Sequence, residues 1–142
     1  HFQTAMMMVR QLEFSLFDFK MHLHFNPENP QPIQDVLDAV RAQVSVVEAP
    51  EFNRFQNSFS HIFAGGYSAG YYSYKWAEVL SADAFSRFEE EGIFNKETGQ
   101  SFFDEILSRG GELDAAELFK NFRGREPKVD ALLRHSGIRL TD

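Results

Sequence analysis

From Phe2 to about Phe25, apolar residues return every three or four positions. Phe2, Met6, Val9, Leu12, Leu16, Phe19 and Leu23 form one stripe. Met7, Phe14, Phe17, Met21 and Phe25 form a second. This is the spacing of an α-helix, and two stripes leave it apolar around much of its circumference, as expected of a helix enclosed on several sides. The Met6-Met7-Met8 run is expected on its buried faces. Asn26 to Pro32 holds three prolines and reads as the turn that stops this helix.

A second helix is predicted from Pro32 to about Val46, with Ile33, Val36, Leu37, Val40 and Val44 inward and Pro32 in its first turn. Ala49 to Ser60 has no clear period and reads as a loop. A long helix is predicted over Ser68–Glu91, where Tyr72, Trp76, Val79, Leu80 and Phe88 supply apolar contacts and Gly92 is a terminator. Thr98 is expected to cap a helix through Phe102, Ile106 and Leu107, ended by Gly110-Gly111. Asp114–Phe122 and Pro127–His135 read as two short helices, each followed by a glycine. Strand-like alternation is nowhere sustained. The expected fold is all-α, one helical region over residues 1–142 without repeats or an evident linker.

Composition sharpens this picture in one respect. The chain holds 16 Phe in 142 residues, and each ring hides about 150–250 Å² when enclosed. A domain of this size has little interior for so many, so part of its surface is expected to pack against something else. Net charge is −7, from 14 basic and 21 acidic residues, with no basic tract, which excludes the electrostatic footprint of a nucleic-acid binder. There is no cysteine, which fits a reducing compartment, and no apolar run of the ~18 residues that a membrane helix needs. A cytoplasmic location is expected. The chain opens at His1 inside a helical pattern, which reads as a cut chain.

Candidate chemistry concentrates in His61-Ile62-Phe63-Ala64-Gly65-Gly66-Tyr67-Ser68-Ala69-Gly70-Tyr71-Tyr72-Ser73-Tyr74. The glycines give backbone freedom, a histidine precedes them and a tyrosine-rich helix start follows. Tyr67, Tyr71 and Tyr74 are spaced by four and three, so their hydroxyls share one face wherever the helix reaches back far enough. A phenol is a neutral donor at pH 7 and suits an oxyanion forming on an attacked carbonyl. Tyrosines at this spacing also simply fill amphipathic interfaces. Tyr72 and Trp76 point elsewhere and are expected to pack.

Other residues carry plainer readings. His22 and His24 stand two apart on a helix, hence on nearly opposite faces, with no third metal ligand nearby. His135 reads as a surface cap, Glu89-Glu90-Glu91 as a solvated helix end, and Arg123 and Arg125 beside Glu126 as surface ion pairs of modest worth.

The run His61–Trp76 closely resembles the loop and helix near the C-terminus of the thimet-oligopeptidase-like (neurolysin-like) family of zinc metallopeptidases. Met8-Val9-Arg10-Gln11-Leu12-Glu13-Phe14 upstream is similar too, as are Ile106-Leu107-Ser108-Arg109-Gly110-Gly111 and Phe122-Arg123-Gly124-Arg125-Glu126-Pro127 downstream. Several motifs in the same order, over nearly the whole chain, make the resemblance specific. It implies the helical C-terminal portion of a catalytic domain that cleaves oligopeptides in a deep channel.

In that family two histidines and a glutamate hold zinc, and the glutamate of H-E-x-x-H serves as general base. The resemblance gives Tyr74 the role of oxyanion donor and His61 a place among the catalytic residues. Tyr67 is implied to close on the substrate, Tyr71 to line the site, and Gly65 and Gly66 to let the loop move. H-E-x-x-H and the third-ligand helix are absent from these 142 residues. Zinc therefore belongs to the parent enzyme, with no ligands expected here, and the chain alone is expected to be inactive. Its implied partners are oligopeptide substrates and the remaining N-terminal polypeptide, with self-association of the isolated chain where that surface is bare. The alternative is a free-standing helical interaction module with a Phe-rich binding face.

Overall fold

The computed structural model describes residues 2–138, and among them every regular element is helical. Helix α1 covers Thr4–Leu23, α2 Ile33–Val44, α3 Ser60–Phe63, α4 Ser73–Glu91, α5 Lys96–Phe102, α6 Ala115–Arg123 and α7 Asp130–His135. A 3₁₀ turn spans Phe55–Asn57, and a π-helical turn, Phe103–Leu107, continues α5. The all-α expectation holds. No helix among the described residues is long and apolar enough to cross a membrane. The chain divides into two compact units, His1–Lys75 and Trp76–Asp142.

In the first unit α1 packs on α2. Phe14 and Phe17 from α1 meet Leu37 and Val40 from α2, joined by Phe59, Ile62 and Tyr71. The two helices are also pinned by an ion pair, Arg41 Nε donating to Glu13 Oε1 at 3.0 Å, with both side chains mostly buried. Phe14 stacks on Phe55 at 4.5 Å between centroids, and Phe55 packs on Phe59 at 4.8 Å. The segment read as loop thus supplies two core rings. Their spacing of four was the available signal, but one turn of helix is too short to show a period.

α1 is not enclosed as expected. Its buried residues are confined to Glu13–Asp18, and Met6 and Met7 are exposed. The second apolar stripe faces the core through Phe14 and Phe17. The first packs on the core through Leu16 alone of the residues named, and its Phe2, Met6, Leu12, Phe19 and Leu23 are exposed.

The second unit gathers Ala84, Phe119 and Phe122, with Leu80, Phe88, Phe102 and Ile106 packed against them. Asn95, not Thr98, caps α5: its side-chain oxygen accepts the N–H groups of Glu97 at 2.9 Å and Thr98 at 3.3 Å. Thr98 is buried and turns its hydroxyl to the Glu91 carboxylate.

One surface reading also changes. Asp83 is 1% exposed and takes both terminal nitrogens of Arg125, at 2.6 and 2.7 Å, together with the Lys128 N–H at 2.7 Å. Arg123 donates to the Asp83 carbonyl at 3.2 Å and to the Ser86 hydroxyl at 3.1 Å. These arginines close around a buried carboxylate from α4, and are not loose surface pairs. Glu89, Glu90 and Glu91 are exposed at the end of α4, as expected, and pair with Arg134 and His135, with Arg123, and with Arg87 and Thr98 respectively. His135 accordingly meets a carboxylate from α4, its Nε2 lying 3.1 Å from Glu89 Oε1. Trp76, expected to pack, is about half exposed.

Candidate functional site

The tyrosine-rich segment lies in the first unit, and its conformation begins with α3. One turn of helix ends at Phe63, and the chain folds back on it: the Ala64 and Gly65 N–H groups both donate to Ser60 O at 2.8 Å. Tyr67 N–H then donates to His61 O at 3.0 Å, and Ser68 Oγ donates to Ile62 O at 2.6 Å. The loop is tied down along its length.

Both glycines are dictated by this fold. A Cβ on Gly65 would lie 2.9 Å from His61 Cα and 3.1 Å from His61 O, closer than backbone atoms allow. Gly66 has φ +79°, where a Cβ meets nothing but the backbone itself is strained for other L-residues. Gly65→Ala is therefore expected to cost about 1–3 kcal/mol, through forced displacement of α3. Gly66→Ala should cost about 1–2 kcal/mol, from backbone conformation alone. Urea unfolding of the two variants checks both, and a neutral Gly65→Ala would contradict the close approach.

After the glycines the helix does not start where the periodicity places it. Residues 68–72 are turns and α4 begins at Ser73, because Ala69 has φ +54°, which no α-helix accommodates. Three bonds hold this turn. Gly70 N–H donates to Tyr67 O at 2.8 Å, and the Ala69 and Tyr71 N–H groups donate to the carboxylate of Asp18 at 2.8 and 2.9 Å. Asp18 was not singled out in the sequence. Its only signal is a charge set among the apolar residues of α1.

The rings nevertheless come together. Tyr67 stacks on Tyr74 at 5.0 Å between centroids, and Tyr71 meets Tyr74 edge-on at 5.2 Å. His61 stands 6.1, 5.7 and 6.3 Å from Tyr67, Tyr71 and Tyr74. Tyr67 is 36% exposed and Tyr74 41%, whereas Tyr71 is 8% exposed and donates its phenol proton to Gln11 Oε1 at 3.0 Å. Tyr72 points away and stacks on Phe19 at 5.2 Å.

The phenols of Tyr74 and Tyr71 are raised above their ordinary value, each from a different cause. Its hydrogen bond with Tyr67 is the main cause that lifts Tyr74 above the ordinary phenol value. Burial is the main cause that lifts Tyr71, and the positive charge of Arg10 offsets this in part. Two neighbouring exposed phenols, a histidine ring and an ordered glycine loop make a surface that can donate hydrogen bonds to a carbonyl oxygen.

A metal does not fit the described residues. No group of three or more His, Cys, Asp or Glu side chains among them is set to hold one. His22 of the His22-x-His24 pair turns back on α1, its Nδ1 lying 2.9 Å from Asp18 Oδ1 and 2.8 Å from Asp18 O.

The model of Peptidase family M3 matches residues 1–138. The chain belongs to Peptidase family M3. The resemblance read from His61–Trp76 and its flanking motifs is borne out. Over 138 residues the chain is 63% identical to oligopeptidase A of Haemophilus influenzae, a match covering 97% of this chain and 20% of that protein. It is 60% identical over 139 residues to oligopeptidase A of Escherichia coli, covering 98% of this chain and 20% of the relative. Saccharolysin of Saccharomyces cerevisiae is 36% identical over 139 residues, 97% of this chain and 19% of its own length. The chain thus spans about a fifth of the length of these M3 relatives.

Proposed function

We propose that this M3 chain supplies one wall of the catalytic cleft of a cytoplasmic zinc oligopeptidase that hydrolyses short peptides. In this reading H-E-x-x-H and the zinc it holds lie elsewhere in the parent polypeptide. Family membership and the oligopeptidase A relatives support the activity class. The observation that carries the assignment of residues is the ring cluster of His61, Tyr67, Tyr71 and Tyr74, with two of its phenols at the surface beside the Gly65-Gly66 loop.

Each residue then has a part. Tyr74 donates its phenol proton to the carbonyl oxygen as negative charge gathers there during hydrolysis. Such a bond strengthens in the transition state and lowers the barrier without tightening ground-state binding. Tyr67, stacked on Tyr74 at 5.0 Å, steadies that ring and touches the peptide. Tyr71 lines the site through its ring and carries Tyr74 against the core. His61 completes the ring cluster and donates to the peptide backbone. Gly65 and Gly66 let the substrate-contacting loop take its tight path. The bare stripe of α1, with the exposed Phe52 and Phe94, is covered by the remaining polypeptide.

Two measurements test this. The purified chain alone should hydrolyse no peptide, and turnover by it would overturn the reading. In the full-length peptidase that carries this chain, Tyr74→Phe should lower kcat while leaving KM nearly constant. An unaltered kcat removes Tyr74 from the reaction.

A further inference from the structure

The buried carboxylate under the tyrosine turn has no part in the chemistry just described. Asp18 is 1% exposed, on a helix face otherwise occupied by Phe14 and Phe17. A carboxylate is acceptor-only, with two oxygens, and burying one is costly unless donors surround it. Here the donors come from the turn. Oδ1 accepts the Ala69 N–H at 2.8 Å, Oδ2 accepts the Tyr71 N–H at 2.9 Å, and His22 Nδ1 stands 2.9 Å from Oδ1.

Those two amides flank the part of the backbone that most needs support. Ala69 sits at φ +54°, a conformation costing about 1–2 kcal/mol for an L-residue other than glycine. Charge-assisted bonds to the amides on either side of Gly70 offset that cost and select this turn over continuation of α4 toward residue 68. Tyr71 is then held by α1 at two points, its N–H by Asp18 and its phenol by Gln11 at 3.0 Å. Its ring in turn meets Tyr74 at 5.2 Å.

We propose that Asp18 is a positioning residue for the oxyanion donor: by clamping the Ala69–Tyr71 turn it sets where the Tyr74 phenol stands. This rests on the reading in which Tyr74 acts on the transition state. A displacement of about 1 Å in such a donor is enough for a large loss in rate. Asparagine keeps the size of the side chain but turns an NH₂ group toward one of the two amides. Glutamate keeps both acceptors and moves them by one methylene.

The experiment uses the full-length peptidase with Asp18→Asn, Asp18→Glu, Tyr74→Phe and the Asp18→Asn/Tyr74→Phe pair. Asp18→Asn is expected to lower kcat on the order of tenfold or more, with a smaller change in KM. Amide exchange at Ala69 and Tyr71 should accelerate. In the Tyr74→Phe background Asp18→Asn should cost little further, because the group it positions is gone. Asp18→Glu should show an intermediate loss, and it decides the matter if Asp18→Asn does not fold. Unchanged kcat in a folded Asp18 variant, or losses that multiply fully with Tyr74→Phe, would overturn the inference alone. If Tyr74→Phe itself leaves kcat intact, the oxyanion reading falls and this role with it.

Discussion

Tyr74→Phe in the full-length peptidase is expected to lower kcat by roughly 10²–10³, the usual worth of one oxyanion donor. The substitution removes a single oxygen and leaves the ring, so stacking on Tyr67 at 5.0 Å and the edge contact with Tyr71 at 5.2 Å persist. Stability should therefore hardly move. KM should hold within a small factor, since a bond formed only as charge develops contributes little to binding the ground state. Tyr67→Phe gives the internal comparison. It removes the hydrogen-bond partner that lifts Tyr74, so it should act on the same parameter less severely. Because Tyr74 is raised above the ordinary phenol value, its donor form persists through neutral and mildly alkaline pH. Loss of kcat from its ionisation belongs above about pH 10.

The second large effect concerns folding of the Trp76–Asp142 unit. Asp83→Ala is expected to destabilise it by about 3 kcal/mol, because Arg125, the Lys128 N–H and the Ser86 hydroxyl all lose a shared acceptor. Urea denaturation should show a lower midpoint at constant slope. The pH dependence has a defined sign. Burial pushes the Asp83 carboxyl up, but the Arg125 fork, the Lys128 N–H and Ser86 together outweigh it and hold it below its ordinary value. A depressed folded-state value means that the carboxylate's contribution is complete above the unfolded value near ~3.9 and is lost as the pH falls through the folded one. The parent chain should thus lose stability steeply below about pH 4, and Asp83→Ala should lose less over the same interval. Equal slopes would remove Asp83 from the acid transition.

The local pattern of residues made much of this fold legible. Spacing alone placed α1, α2, α6 and α7 to within a few residues, because each is long enough, or bounded clearly enough by proline and glycine, to show its period. What stayed hidden depends on partners far along the chain. Nothing near Ala69 announces that α4 starts at Ser73. The reason is a carboxylate 51 residues earlier. Arg125 beside Glu126 reads as a surface pair until Asp83, 42 residues upstream, is placed against it. The apolar stripes of α1 could be counted but not ranked, and the stripe chosen for the core by Phe14 and Phe17 leaves the other bare. At the candidate site the spacing of Tyr67, Tyr71 and Tyr74 foretold a shared face, yet the rings meet through a turn rather than along a helix. His61 joins them only because α3 folds the loop back.

The tie from Asp18 to the Tyr turn also bears on how this region can be handled and how it can be damaged. A peptide cut from residue 60 to residue 75 would keep every side chain of the candidate site but lose the bonds from Asp18 and Gln11 that fix its turn. Proteolysis within α1 would act in the same way at a distance, silencing a phenol it never touches. Lesions that matter to this site are thus to be sought near the start of the chain as much as around the tyrosines themselves.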